Sequence, residues 1–206
     1  MRIRAVGFDI GSVLERIDPI EEFHDRWRTR LAMTGPDFDA ALASVDPDGL
    51  AETGGLTEAQ YLGQYAAALG LSQAQRAEFT ADLWDWYCGE LDTGLVAYAA
   101  SLRPRVRTGI LSNSADGARR EEQARYRFEQ LVDVIVYSHE AGVAKPDPRA
   151  FLLLCDELGV RPDELAFLDD VPGHIDAARA LGIHGIVHVS TPASIAAIED
   201  LLGQGS

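Results

Sequence analysis

The chain has 206 residues, 47% of them hydrophobic and 25% charged, with a formal net charge of −15. That length holds one sizeable domain, or a core with a smaller insert, and the composition is ordinary for a soluble globular protein. The charge argues against nucleic acid or an anionic membrane surface as the main partner, since both need a positive face, but leaves a small anionic substrate open, because one local cation or a helix N-terminus can override the global charge.

In chain order, Ile3 to Asp9 is an apolar, strand-like run that delivers one carboxylate, Asp9, into a Gly11-Ser12 turn. Residues 18–90 contain no convincing strand and read as a helical insert. Helices are predicted over Pro19 to Met33, Asp37 to Ser44, Glu58 to Leu69 and Gln73 to Tyr87, separated by turns at Gly35-Pro36, Asp46-Pro47-Asp48-Gly49 and Gly54-Gly55. Four more apolar runs follow: Val106 to Ser112, Val132 to Tyr137, Leu165 to Asp169 and His184 to Val189. They are rich in Val, Ile and Leu with little alternation, as in strands covered on both faces. Helices are predicted between them, over Ala115 to Gln130, from Asp147-Pro148 to Gly159, and from Gly173 to Leu181. The alternation implies an α/β fold, a doubly wound parallel sheet (Rossmann-like) with right-handed crossovers, formed by residues 1–17 and 91–206, plus a smaller all-helical cap over 18–90. Ligands bind at the carboxyl ends of such strands, where an insert leaving the first strand would cover them.

Each strand end carries a distinct group. The first gives Asp9; the second ends in Ser112-Asn113-Ser114, a hydroxyl and amide cradle at a helix start that suits an anion or serves as a cap. Ala144-Lys145-Pro146-Asp147-Pro148 follows the third, and Lys145 is the only lysine in the chain. The fourth ends in Asp169-Asp170, adjacent carboxylates that repel unless compensated and that suit Mg²⁺, a hard cation with oxygen ligands. Nucleophile, cradle, lysine and acidic pair on one sheet edge are the equipment of phosphoryl transfer through an aspartyl-phosphate.

In order and spacing the four clusters resemble the four motifs of the haloacid dehalogenase superfamily. Gly7-Phe8-Asp9-Ile10-Gly11-Ser12-Val13-Leu14 is similar to the first, Leu111-Ser112-Asn113 to the second, and Gly142-Val143-Ala144-Lys145-Pro146-Asp147-Pro148 to the third. Leu168-Asp169-Asp170, with Ala177 to Ile183, is similar to the fourth. The insert matches the family's cap. The resemblance implies Asp9 as nucleophile, Ser112 and the Asn113 backbone as phosphoryl ligands, and Lys145 paired with Asp9 and the phosphate. Mg²⁺ would be held by Asp9, the Gly11 carbonyl, Asp169 and Asp170. The implied function is Mg²⁺-dependent hydrolysis of a small phosphorylated metabolite, such as a sugar phosphate.

Gly11 departs from the family pattern, because most of its phosphatases carry a second Asp there as general acid–base. Three readings follow: Glu15, Asp18 or His24 substitutes; the substrate has a good leaving group, such as an anomeric or acyl phosphate; or the protein binds without catalysis. A 2-haloacid dehalogenase is the alternative enzyme, against which the Asp169-Asp170 pair argues. Phosphonate chemistry in the family uses a cap lysine, and residues 18–90 hold none. His174 stands where an Asn is common. The cap aromatics Trp27, Phe79, Trp84, Trp86 and Tyr87 are spaced as a core stripe, with specificity residues among them. Cys88 and Cys155 read as reduced thiols, no signal peptide or membrane-length apolar run is seen, and the expected setting is a cytoplasmic monomer or homodimer.

Overall fold

The computed structural model describes residues 2–203. Strand β1 (Ala5–Phe8) ends at Asp9, after which Val13, Leu14 and Glu15 all donate to the Ile10 carbonyl in one tight turn. Strand β2 (Glu15–Arg16) leads into α1 (Ile20–Arg30), α2 (Gly35–Ala43), α3 (Glu58–Ala68) and α4 (Gln73–Cys88). β3 (Glu90–Leu91) then returns antiparallel to β2, so a two-stranded flap frames the entry to and exit from the helical segment. The rest alternates: α5 (Thr93–Leu102), β4 (Arg107–Ser112), α6 (Ala118–Tyr126), α7 (Phe128–Leu131), β5 (Val134–Tyr137), α8 (Ser138–Ala141), α9 (Pro148–Leu158), β6 (Leu165–Asp169), α10 (Pro172–Ala180), β7 (His184–Val187) and α11 (Thr191–Gly203).

The five long-range strands form one parallel sheet in the order β5-β4-β1-β6-β7, with β1 central. Residues alternate between two apolar layers, as the strand period of two requires. Val6 and Phe8 pack with Leu95, Leu102, Phe128 and Ile198 on one face; Ala5 faces Phe151, Leu154, Phe167 and Ile175 on the other. Gly7 and Gly109 sit side by side in register, and a Cβ on either would meet Leu154 at 3.0 Å. These two glycines let α9 lie close against the sheet centre. The helical segment has its own apolar centre of Phe23, Trp27, Phe38, Leu69 and Phe79.

The structure amends several sequence expectations. The helix expected over Ala115 to Gln130 begins at Ala118 and breaks at Arg127, which takes a left-handed φ of 55° so that Phe128 can turn inward and become fully buried. The strand expected from Val132 begins at Val134, because Asp133 turns its carboxylate onto the Thr108 amide at 2.9 Å. The last strand stops at Val187, leaving Val189 exposed. α5, α11 and the flap are additional elements; Asp92 caps α5 through the Leu95 amide at 2.8 Å.

Candidate active site

The carboxyl ends of β1, β4 and β6 bring Asp9, Ser112 and Asp169 to one edge of the sheet, and the loop before α9 adds Lys145. The Lys145 ammonium lies 2.8 Å from Asp9 Oδ1 and 2.7 Å from Asp169 Oδ2, and the three residues are buried. Phe167 places its ring 5.6 Å beneath the ammonium. Burial pulls the Lys145 pKa down, but the two carboxylates outweigh it and hold it above the ordinary lysine value. Burial raises Asp9 to about 6; Lys145 opposes the rise and Asp169 adds to it. Asp9 Oδ1 also accepts from the Ile10 amide at 2.8 Å, so Oδ2 is the oxygen outside this pairing.

Asp169 has both oxygens engaged. Oδ2 takes Lys145, Oδ1 accepts from the Val171 amide at 2.8 Å, and His174 Nδ1 lies 3.1 Å from Oδ1. Burial would raise Asp169, but His174, Lys145 and the Val171 N–H together hold it below the usual carboxylate range. Asp170 is half-buried; burial and then the neighbouring Asp169 raise it. Asp9, Asp169 and His174 each offer a ligand atom within 4.8 Å of the others. Three carboxylates here meet one ammonium, which leaves two negative charges to compensate, the charge of one divalent cation. The donor set fits a hard cation such as Mg²⁺.

Ser112 is buried, with its hydroxyl 3.4 Å from the Asn113 carbonyl. The Asn113 side chain makes two reciprocal bonds to the Lys145 backbone: its Nδ2 donates to the Lys145 carbonyl and its Oδ1 accepts from the Lys145 amide, both at 2.8 Å. The side chain is therefore a clamp on the lysine loop rather than a free ligand. This contact spans 32 positions and leaves no signal in the sequence.

Gly11 lies beside Ile17, whose Cδ1 would be 3.3 Å from a Cβ built there. Of the three acids and bases considered in its place, His24 stacks edge-on against Phe38 inside the helical segment, with ring centroids 5.8 Å apart. Asp18 is exposed, and its carbonyl accepts from the Trp86 indole. Glu15 is fully buried, and neither carboxyl oxygen has a hydrogen-bond partner among the described residues. Burial first, then Glu122, push it up to about 10, and the charge of Asp9 adds to the rise. Glu122, also buried, is pushed up by burial to about 8 and accepts a short bond from Tyr137. This acid pair leaves no local signal, since Glu122 sits in a run of charged helix residues that reads as solvated.

Residues 3–182 match the family model of haloacid dehalogenase-like hydrolases. A phosphatase of Mycobacterium tuberculosis is 28% identical over 199 residues, covering 89% of this chain and 86% of that protein. Among solved structures, a HAD-like family hydrolase from Porphyromonas gingivalis superposes with a TM-score of 0.78 at 26% identity, covering 98% of both chains. A HAD family enzyme from Bacteroides thetaiotaomicron, complexed with magnesium and inorganic phosphate, gives 0.77 at 22% identity, covering 91% of this chain and 94% of that one.

Proposed function

The chain belongs to the haloacid dehalogenase-like hydrolase family, and from that premise we propose that it is a Mg²⁺-dependent phosphatase of a small phosphorylated metabolite, acting through an aspartyl-phosphate on Asp9. The observation that carries this reading is the buried Lys145 ammonium bridging Asp9 and Asp169 at the carboxyl edge of the sheet. Lys145 and the Ile10 amide fix Asp9 Oδ1, which leaves Oδ2 to attack phosphorus in line with the leaving oxygen. Ser112 and the backbone after it bind the transferring group, and Lys145 neutralises charge on its oxygens. Asn113 acts by holding Lys145 in place. Asp9, Asp169 and Asp170, with the Gly11 carbonyl, would hold Mg²⁺, and Asp169 also orients the ammonium beside them. The bound ion supplies Lewis-acid neutralisation of the phosphoryl oxygens. A phosphatase of similar length in M. tuberculosis and the magnesium and phosphate bound to the B. thetaiotaomicron neighbour support the same reading.

Gly11 supplies no proton to the leaving oxygen; His24 is stacked inside the helical segment, Asp18 is exposed, and Glu15 is fully buried with no hydrogen-bond partner among the described residues. The substrate is therefore one whose leaving group departs with little acid help, as an anomeric or acyl phosphate does. The test is phosphate release from acetyl phosphate, p-nitrophenyl phosphate and sugar 1-phosphates. Turnover is expected with Mg²⁺, with loss in EDTA and a fall of at least ~10³-fold in Asp9→Asn. Turnover that persists in EDTA or in Asp9→Asn overturns the mechanism.

A further inference from the structure

A cavity of about 330 Å³ lies between the helical segment and the loop after β4. Its size is at the lower end for small-molecule sites. Tyr61, Tyr65, Trp84, Trp86 and Tyr87 are half of its ten lining residues, and Ala115, three residues beyond Ser112, is the one contributed by the loop after β4.

Three of the five aromatic polar tips on the wall are already engaged elsewhere. The Trp84 indole donates to Glu58 Oε1 and the Trp86 indole to the Asp18 carbonyl, each at 2.8 Å. The Tyr61 hydroxyl donates to the Asp116 carbonyl at 3.0 Å. Tyr61, Trp84 and Trp86 therefore offer carbon faces to the space, and the remaining polar tips, the Tyr65 and Tyr87 hydroxyls, are uncharged. No lysine, arginine or histidine is among the lining residues described. Arg120 lies over the Trp84 ring at 6.0 Å, but two bonds tie its guanidinium to Glu58. The single charged lining residue is Asp46, whose two oxygens cap the Leu50 and Ala51 amides at 2.8 Å. A second anionic group on the substrate would enter this space with no cation beside it and would face a carboxylate, which strongly disfavours it. An uncharged ring meets only matching surface.

We propose that this cavity receives the organic part of the ester, and that the substrate carries its charge on the phosphoryl group alone, the remainder being an uncharged, ring-bearing moiety. This deepens the phosphatase reading and rests on it. The test compares kcat/KM within two matched pairs: phenyl phosphate against 4-carboxyphenyl phosphate, and glucose 1-phosphate against glucose 1,6-bisphosphate. Acetyl phosphate, too small to need the cavity, reports the phosphoryl chemistry by itself. The uncharged member of each pair is expected to be favoured by at least about tenfold. Val45→Arg, which brings a cation to the cavity wall, is expected to reduce that preference by a similar factor. Should the variant fail to fold, the wild-type pairs still decide. Hydrolysis of acetyl phosphate with equal or greater use of the doubly anionic esters overturns the assignment while leaving the phosphatase reading intact. Failure to turn over acetyl phosphate and both pairs overturns the two together.

Discussion

Lys145 shows how far single residues could be read in advance. It is the only lysine of the chain and stands just before a helix-opening Asp-Pro, and those two facts pointed to it without any contact being known. Asp9, Ser112 and Asp169 were legible for a related reason: each is a polar residue ending an apolar strand. What could not be read were pairings across long separations, the Asn113 clamp on Lys145 and the burial of Glu15 beside Glu122. Glu15 stands between Leu14 and Arg16, and nothing local marks its carboxyl as buried. Its burial has a consequence for stability. In the unfolded chain a glutamate ionises near ~4.3, whereas in the fold Glu15 holds its proton up to about 10 and Glu122 up to about 8. Both folded values lie above the unfolded one. Above roughly pH 4.5 the unfolded chain therefore binds fewer protons than the native one, and each group lowers stability progressively until its folded value is passed. Glu15→Gln removes this dependence while keeping the shape. It is expected to stabilise the protein at pH 8 by about 1–3 kcal/mol relative to its effect at pH 4.5. Urea unfolding of both proteins at the two pH values checks this, and a pH-independent difference would show that Glu15 is ionised or solvated in the native state.

Among the elements, the strands and the longer helices were legible because burial and periodicity write themselves into composition. Val, Ile and Leu runs mark strands covered on both faces, and Asp147-Pro148 with Gly159 brackets α9. The flap was not, since two residues per strand carry no pattern, and the break at Arg127 was not, since an arginine at positive φ leaves no signal of the kind glycine gives. Gly89 shows what the flap demands. It takes φ 55° at the end of α4, and a Cβ there would run into the Arg16 carbonyl, while its own carbonyl accepts from the Tyr126 hydroxyl at 2.6 Å. The chain can pass from the helical segment back to the sheet only along this backbone path. Gly89→Ala is expected to cost about 2–3 kcal/mol from strain and the clash with backbone, and to lower turnover by displacing Arg16 and the turn that follows Asp9. Thermal melting together with kcat on p-nitrophenyl phosphate tests both effects; a variant as stable and as active as the parent would mean the flap adjusts freely.

Across the whole molecule, the helical segment is seated on the site by a set of polar ties and one small apolar contact, in which Tyr61 and Trp84 pack on Ala118 of α6. Asp116 Oδ2 accepts from the Glu58 amide at 2.8 Å, its carbonyl accepts from Tyr61, and Ser138 donates to the Glu52 carbonyl at 2.6 Å. Arg125 and Asp85 add an ion pair at 2.8 Å, and Gly54 lies close against the His139 carbonyl. These are individual hydrogen bonds, partly exposed pairs and one small apolar cluster, whereas the sheet is held by two continuous apolar layers. The two parts therefore have unequal resistance to opening, and a substrate reaching Asp9 needs only the weaker one to give. Asp116 is the natural lever, because its side chain satisfies an otherwise unpaired amide in the first turn of α3. Removing it costs about 1–1.5 kcal/mol, which corresponds to roughly tenfold faster opening of that contact. In Asp116→Ala, hydrogen exchange at the amides of residues 58–61 is expected to accelerate by about that factor, with the amides of β1, β4 and β6 unchanged. A looser seat is expected to raise KM for ring-bearing esters more than for acetyl phosphate, since only the former depend on the aromatic wall. Uniform acceleration across both parts would instead show that segment and sheet open as a single cooperative unit, and that substrate entry requires some route other than lifting the helices.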